Sequence, residues 1–318
     1  MRDYSRPSSA VQPSTPGLTR TVASQRPFNL ALTLRPLRRG PGDPTYRVTE
    51  DQAHWRAARM PTGPVTYRIT QQGTDGATAR AWGPGAQEFI DKLDQILCID
   101  ENIDDFTPDH PKIVEAHRVT PGLRMLKTGL VFEGLVPVIL EQKVHTVAAH
   151  ASWRQLVRKF GERPPGPAPA DLVLPPDAEG WRHIPSWWFH KANVGPERSQ
   201  TIVRAARVAD AIDRTAELPS AEARERLQTI VGVGQWTTAE LAQRVFGDAD
   251  ALSVGDYHIA ALVGWTLLDR PIDDDEMVEL LEPLRPHRHR AVRLLIASGI
   301  GRKPKFGPRT EITDHRMR

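Results

Sequence analysis

Cysteine is nearly missing from this sequence: Cys98 is the only one in 318 residues. No disulfide can form within the chain, and no four-cysteine zinc or iron–sulfur site can be built from it. The histidines show no paired spacing of the kind that holds a transition metal. Long apolar runs are lacking too. None approaches the roughly 20 residues of a membrane span, so no membrane partner is expected. No internal repeat is visible, and neither sign of charge dominates. With 42 Lys and Arg against 39 Asp and Glu, the formal net charge is +3. That balance permits nucleic-acid binding without demonstrating it. What remains, 39% hydrophobic and 25% charged residues, is the makeup of a soluble globular protein with room for two domains or one large one. The scarcity of cysteine fits a reducing cytoplasm, the expected location.

Residues 1–26 are rich in Ser, Pro, Thr and Arg without periodicity and read as a disordered tail. They lack the continuous apolar core of a secretory signal. At 29–34 Leu30, Leu32 and Leu34 alternate, which predicts a half-buried strand. TYRV at 45–48, VTYRIT at 65–70 and ATARAW at 77–82 predict further strands, separated by Gly and Pro. In QEFIDKLDQILCI, Phe89, Leu93, Ile96 and Leu97 share one helical face. Residues 27–106 therefore read as a small α+β domain of antiparallel strands with at least one helix.

After TPDHP at 107–111 the character turns helical. VFEGLVPVIL and TVAAHASWRQLVRKF flank a polar break at Glu141, Gln142 and Lys143. RPPGPAPADLVLPPD, 163–177, cannot continue a helix and reads as a surface loop. Helices are predicted over 199–212, over 221–230 with Ser220 as N-cap, after Asp256, from the acidic run 273–276, and over 290–297. The expected architecture is α+β: a small antiparallel-sheet N-terminal domain, an all-α domain over 107–300, and a basic C-terminal tail over 301–318.

One stretch of the helical part carries chemistry. In LQTIVGVGQWTT, 227–238, one helix ends and another begins within a few residues, with Gly232 and Gly234 between them. Glycine allows a very tight turn and lets a phosphodiester approach the backbone. The N–H groups from Gly232 through Val233, Gly234 and Gln235, with Thr237 close by, then form an anion-binding concavity at the positive end of the second helix. Such contacts position DNA without reading its sequence. A bare Gly-x-Gly would more readily suit a C-cap in a tight helical corner, because Gly at a helix end is common.

The wider pattern L-x-x-I-x-G-V-G-x-W-T-x-A, followed by a Gly247-Asp248 turn and SVGDYHIA at 253–260, resembles the helix-hairpin-helix (HhH-GPD) DNA glycosylase superfamily. It is most like the 3-methyladenine DNA glycosylase II branch. TPGLRM at 120–125, VPVILEQKV at 136–144 and LEPLRPHRHRAVRLL at 281–295 extend the resemblance over roughly 107–300. The resemblance implies that Asp256 is the catalytic carboxylate, beside a sugar that turns cationic as its bond to the base breaks. From the residues alone, Asp256 is also a good N-cap, and both roles can hold together. Trp236 stands where strand-nicking relatives carry a Schiff-base lysine, which implies a monofunctional hydrolase. The family's equivalent tryptophan lines the base pocket; a core position beneath the hairpin is the alternative.

Three positions depart from the alkylpurine pattern. The pocket tyrosine falls at Glu240, which with Thr237 also reads as part of a capping box. A second pocket aromatic falls at Ile296. Lys143, after Gln142, stands where relatives place an apolar wedge, so only its aliphatic stem could fill the hole left by an everted base. Arg288, Arg290 and neighbouring basic residues, with Arg198 at a helix start, are candidate phosphate contacts. Trp181, Trp187 and Trp188 read as packing residues.

The expected function is base-excision repair by a monofunctional DNA N-glycosylase acting on damaged double-stranded DNA as a monomer, with an alkylated purine as the lesion. The alternatives are a glycosylase for an oxidised or deaminated base, and a non-catalytic hairpin protein that binds DNA. No redox or nucleotide cofactor is implied. The resemblance places a monovalent cation, Na+ or K+, at the carbonyls of Ile230 and Val233.

Overall fold

The computed structural model describes residues 16–302 and Asp314. Five strands, β1 (Leu18–Ala23), β2 (Tyr46–Val48), β3 (His54–Met60), β4 (Gly63–Gln72) and β5 (Gly76–Trp82), form one sheet in the order β1-β5-β4-β3-β2. Every pairing is antiparallel. A short helical segment lies between β1 and β2, the other helices follow β5, and the α+β architecture is as expected.

One face of the sheet packs on the Ala86–Asp91 and Leu93–Leu97 helices. Phe89, Leu93, Ile96 and Leu97, the predicted stripe, are all buried there. Phe89 stacks on Tyr67 with ring centroids 4.1 Å apart. Burying a ring of that size contributes about 1.5–3 kcal/mol. The opposite face is strapped by the proline-rich segment 163–177. This surface loop is not wholly exposed, because Leu172 and Leu174 pack on Ala57 and Trp55.

Several expectations are corrected. Residues 30–34 form a helix, Leu30–Leu34, rather than a strand: Asn29 Oδ1 caps it by accepting from the Leu32 N–H, and Leu30 and Leu34 bury the same side. The supposed disordered tail contains β1, which pairs along its whole length with β5; residues 1–15 of that expected tail lie outside the described residues. The N-cap of the Ser220–Gln228 helix is Pro219, and the Ser220 hydroxyl instead donates to Asp248. Thr237 and Glu240 form no capping box, because the helix they belong to starts at Gln235, behind Gly234. Of the basic tail, 303–313 and 315–318 lie outside the described residues.

Two apolar clusters organise the helices. One gathers the Val131–Glu141 and Thr146–Phe160 helices with Pro196–Arg207 and the hairpin. The other joins Ile113, Ala116 and Leu252 to the Ile259–Leu267, Asp274–Leu281 and Arg288–Ser298 helices. The strand-rich part is tied across to them: Arg293 donates to Leu32 O at 2.8 Å, and Arg290 pairs with Glu101.

Candidate nucleic-acid interface and active site

The Ser220–Gln228 and Gln235–Val245 helices form the hairpin. Gly232 turns the chain with φ +96°, where a Cβ would fall 2.1 Å from Thr201 Oγ1. Only glycine fits. Val233 is buried in the helical core, and its N–H donates to Ile230 O at 2.9 Å. That N–H is therefore not available to a phosphate, contrary to the sequence expectation. Gly234 differs from Gly232: its backbone is extended, and a Cβ there would meet nothing within 4 Å. No side chain caps the helix it opens. The first-turn N–H groups at Gln235 and Trp236 thus keep the positive end of an eleven-residue helix open to an anion.

The Val131–Glu141 helix delivers Gln142 to this turn. Its side-chain amide donates to Gly232 O at 2.9 Å and to Thr237 Oγ1 at 2.8 Å. Gln142 and the buried Thr237 thus brace the hairpin while both line the cleft beside it. Lys143 follows with φ +51° and is exposed.

Asp256 sits before the Ile259–Leu267 helix. Its Oδ1 accepts from the N–H groups of His258 and Ile259, at 2.8 and 3.2 Å. Its Oδ2 accepts from the indole N–H of Trp236 at 3.0 Å. The N-cap of that helix is His258 rather than Asp256, which stands two residues before it as an anchored carboxylate, and Trp236 is a half-buried partner of that carboxylate. Tyr257, next in sequence, is 81% exposed.

Both residues line one cleft of about 1890 Å3, together with Gln142, Lys143, Gly232, Gly234, Gln235, Glu240 and Ile296. Eight Lys or Arg side chains line it against four Asp or Glu, a balance suited to a polyanion. A separate void of about 30 Å3 beside Arg56 and Glu133 is too small for anything but water and does not touch Asp256. Glu240 reaches the cleft while paired with Arg244 at 2.8 Å and accepting from the Ser253 hydroxyl.

Other candidates are engaged within the protein. Arg198 is buried, and its guanidinium donates to the carbonyls of Leu140 and Asn193, which holds two segments together. Arg288 pairs with Asp250 and Glu282, and Arg290 with Glu101 and His287. Neither lines the cleft, so the basic cluster is not one phosphate-binding face. Trp181 is a packing residue, stacked on Trp153. Trp187 is not; it is 58% exposed.

The cleft also holds residues the sequence reading did not assign to it. Arg35 and Arg38 reach it from the strand-rich part, and His289 and Arg293 from the last helix. The spacing of 289, 293 and 296 is a helical stripe legible in the sequence, had its direction been known.

No family model and no curated protein matches the chain. Solved structures do. A 3-methyladenine DNA glycosylase from Archaeoglobus fulgidus superposes with a TM-score of 0.73 at 17% identity, covering 88% of this chain and 98% of that one. MBOgg1, in complex with a low-affinity DNA ligand, gives 0.69 at 18%, covering 88% and 95%. An 8-oxoguanine glycosylase/lyase from Clostridium acetobutylicum gives 0.67 at 13%, covering 89% and 98%. The fold is that of the helix-hairpin-helix DNA glycosylases. Among them the chain is similar to enzymes named for both an alkylated and an oxidised purine.

Proposed function

We propose that this protein is a monofunctional DNA N-glycosylase of base-excision repair. It binds duplex DNA as a monomer, everts a damaged purine into the cleft, and hydrolyses the N-glycosidic bond with Asp256. The observation that carries this reading is the doubly anchored Asp256 carboxylate on the cleft wall. Breaking the bond develops oxocarbenium character on the deoxyribose. A fixed negative charge about 4 Å away, at an effective dielectric near 20, contributes roughly 4 kcal/mol, or about three decades of rate. The same carboxylate can orient the attacking water. A protein that only binds DNA gains nothing from such a charge.

Trp236 occupies the hairpin position of a Schiff-base lysine and offers no amine, so the product is an intact strand with an abasic site. The open N–H groups at Gln235 and Trp236 take a backbone phosphate, and Lys143 another while its stem lies along the everted nucleotide's gap. Ile230 O, which already accepts one N–H, keeps a lone pair for a monovalent cation shared with Val233 O. Such an ion, bound there, supplies positive charge toward a phosphate. The site of action is the nucleoid.

An alkylated purine is the first lesion to test. A second reading, an oxidised or deaminated base, is favoured by one observation: Glu240 and Ile296 line the cleft where aromatics would stack on an electron-poor base. Single-turnover incubation with duplexes carrying each lesion decides. Base release with the strand intact until alkali treatment is expected. Release from no lesion, or nicking without alkali, contradicts the reading.

A further inference from the structure

The last helix, Arg288–Ser298, turns His289, Val292, Arg293 and Ile296 toward the cleft. Arg293 is held in place by one donated bond to Leu32 O, which leaves most of its five N–H groups for a ligand. Burial and the nearby Arg244 and Arg35 push its guanidinium down to about 10, so it remains charged at neutral pH. Burial, together with Arg293, Arg244 and Arg290, pushes the His289 imidazole well below its usual range and keeps it neutral. Among the described residues, neither His289 ring nitrogen has a hydrogen-bond partner. Glu240 completes the group. Its two oxygens each accept one bond, from Arg244 and Ser253, and each keeps a further lone pair.

This arrangement is ill suited to a cationic base. The carboxylate in this group, Glu240, is already paired with Arg244, and Arg293 adds a further positive charge. It suits a neutral base whose edge carries a carbonyl beside an N–H, because such a lactam edge needs one donor and one acceptor at once. Resting on the glycosylase reading, we propose that Arg293 and His289, with Glu240, read the lactam edge of an everted deaminated or oxidised purine. Arg293 donates to the carbonyl, Glu240 accepts the ring N–H, and neutral His289 supplies one further donor or acceptor. These are specificity residues and take no part in bond cleavage.

Competition binding tests this with Asp256→Asn protein, which removes cleavage from the measurement. The duplexes carry hypoxanthine, 8-oxoguanine or 1-methyladenine, the last a cationic alkylpurine without a carbonyl. The hypoxanthine or the 8-oxoguanine duplex is expected to bind at least about tenfold more tightly than the 1-methyladenine duplex, and the stronger of the two tells deaminated from oxidised base. Arg293→Met is expected to abolish that preference, and His289→Phe to shift it toward 1-methyladenine. Should Arg293→Met melt early, His289→Phe carries the test alone. Equal or tighter binding of 1-methyladenine, or a preference unchanged in His289→Phe, overturns the proposal. A lactam preference in a protein whose wild type releases no base would sink the glycosylase reading while leaving the base-reading cluster standing.

Discussion

The indole N–H of Trp236 donates to Asp256 Oδ2 at 3.0 Å, joining the hairpin to the carboxylate that faces the cleft. Twenty residues apart in sequence, the two become one unit because Gly234 starts the helix carrying Trp236 and Ser253–Asp256 returns beside it. Trp236→Phe keeps the aromatic surface and removes only the donor. A hydrogen bond to a charged group contributes about 1.5–3 kcal/mol, so base release should slow by about ten- to hundredfold. Affinity for an abasic-site duplex should stay within about twofold. An equal loss in both would make Trp236 a binding residue only.

The two hairpin glycines should fail differently. Gly232→Ala puts a Cβ 2.1 Å from Thr201 Oγ1 at φ +96° and should cost about 2 kcal/mol or more of stability, read by thermal melting. Gly234→Ala meets nothing and has an ordinary extended backbone, so melting should be unchanged. Its methyl group instead enters the space of the phosphate, and duplex affinity should fall about tenfold. Matching effects on stability and binding in the two variants would remove the hairpin's phosphate role.

Acid sensitivity should centre on Glu141, beside the cleft. Burial raises its carboxyl, and the opposing pull of Arg39, at 2.9 Å, with His150 and Arg244, brings it down to about 2. A folded value below the unfolded one means stability that is present above about pH 4.5 and is lost as pH falls toward 2. Unfolding midpoints measured across that window should drop in wild type and less steeply in Glu141→Gln. A wild-type profile flat from pH 5 to 3 would contradict this.

Much of the helical part was legible because its apolar residues repeat at helical spacing and its breaks fall at Gly and Pro. Asp256 and Trp236 were singled out by the resemblance, and the structure brings them together at one cleft wall. The strand-rich part was harder. β3, HWRAARM, carries arginines and small residues where an alternating apolar strand was sought, and β1 buries only Val22. Leu30, Leu32 and Leu34 fit a period of two as well as the i, i+4 pair that the structure uses. The basic residues misled for another reason. Arg288 and Arg290 find Asp250 and Glu101, partners 38 and 189 residues away, and no local pattern reveals such pairs. His289 and Arg293, in the same run, face the cleft instead.

The most direct test of the central claim is single-turnover base release by Asp256→Asn, measured beside its affinity for the same lesion duplex. Release should fall by about three decades or more while binding is retained, because the substitution removes the negative charge while the amide oxygen can still accept from the His258 and Ile259 N–H groups, giving up the bond from Trp236. Release at the wild-type rate would show that the sugar cation is stabilised by some other group, and the account built on this carboxylate would be wrong.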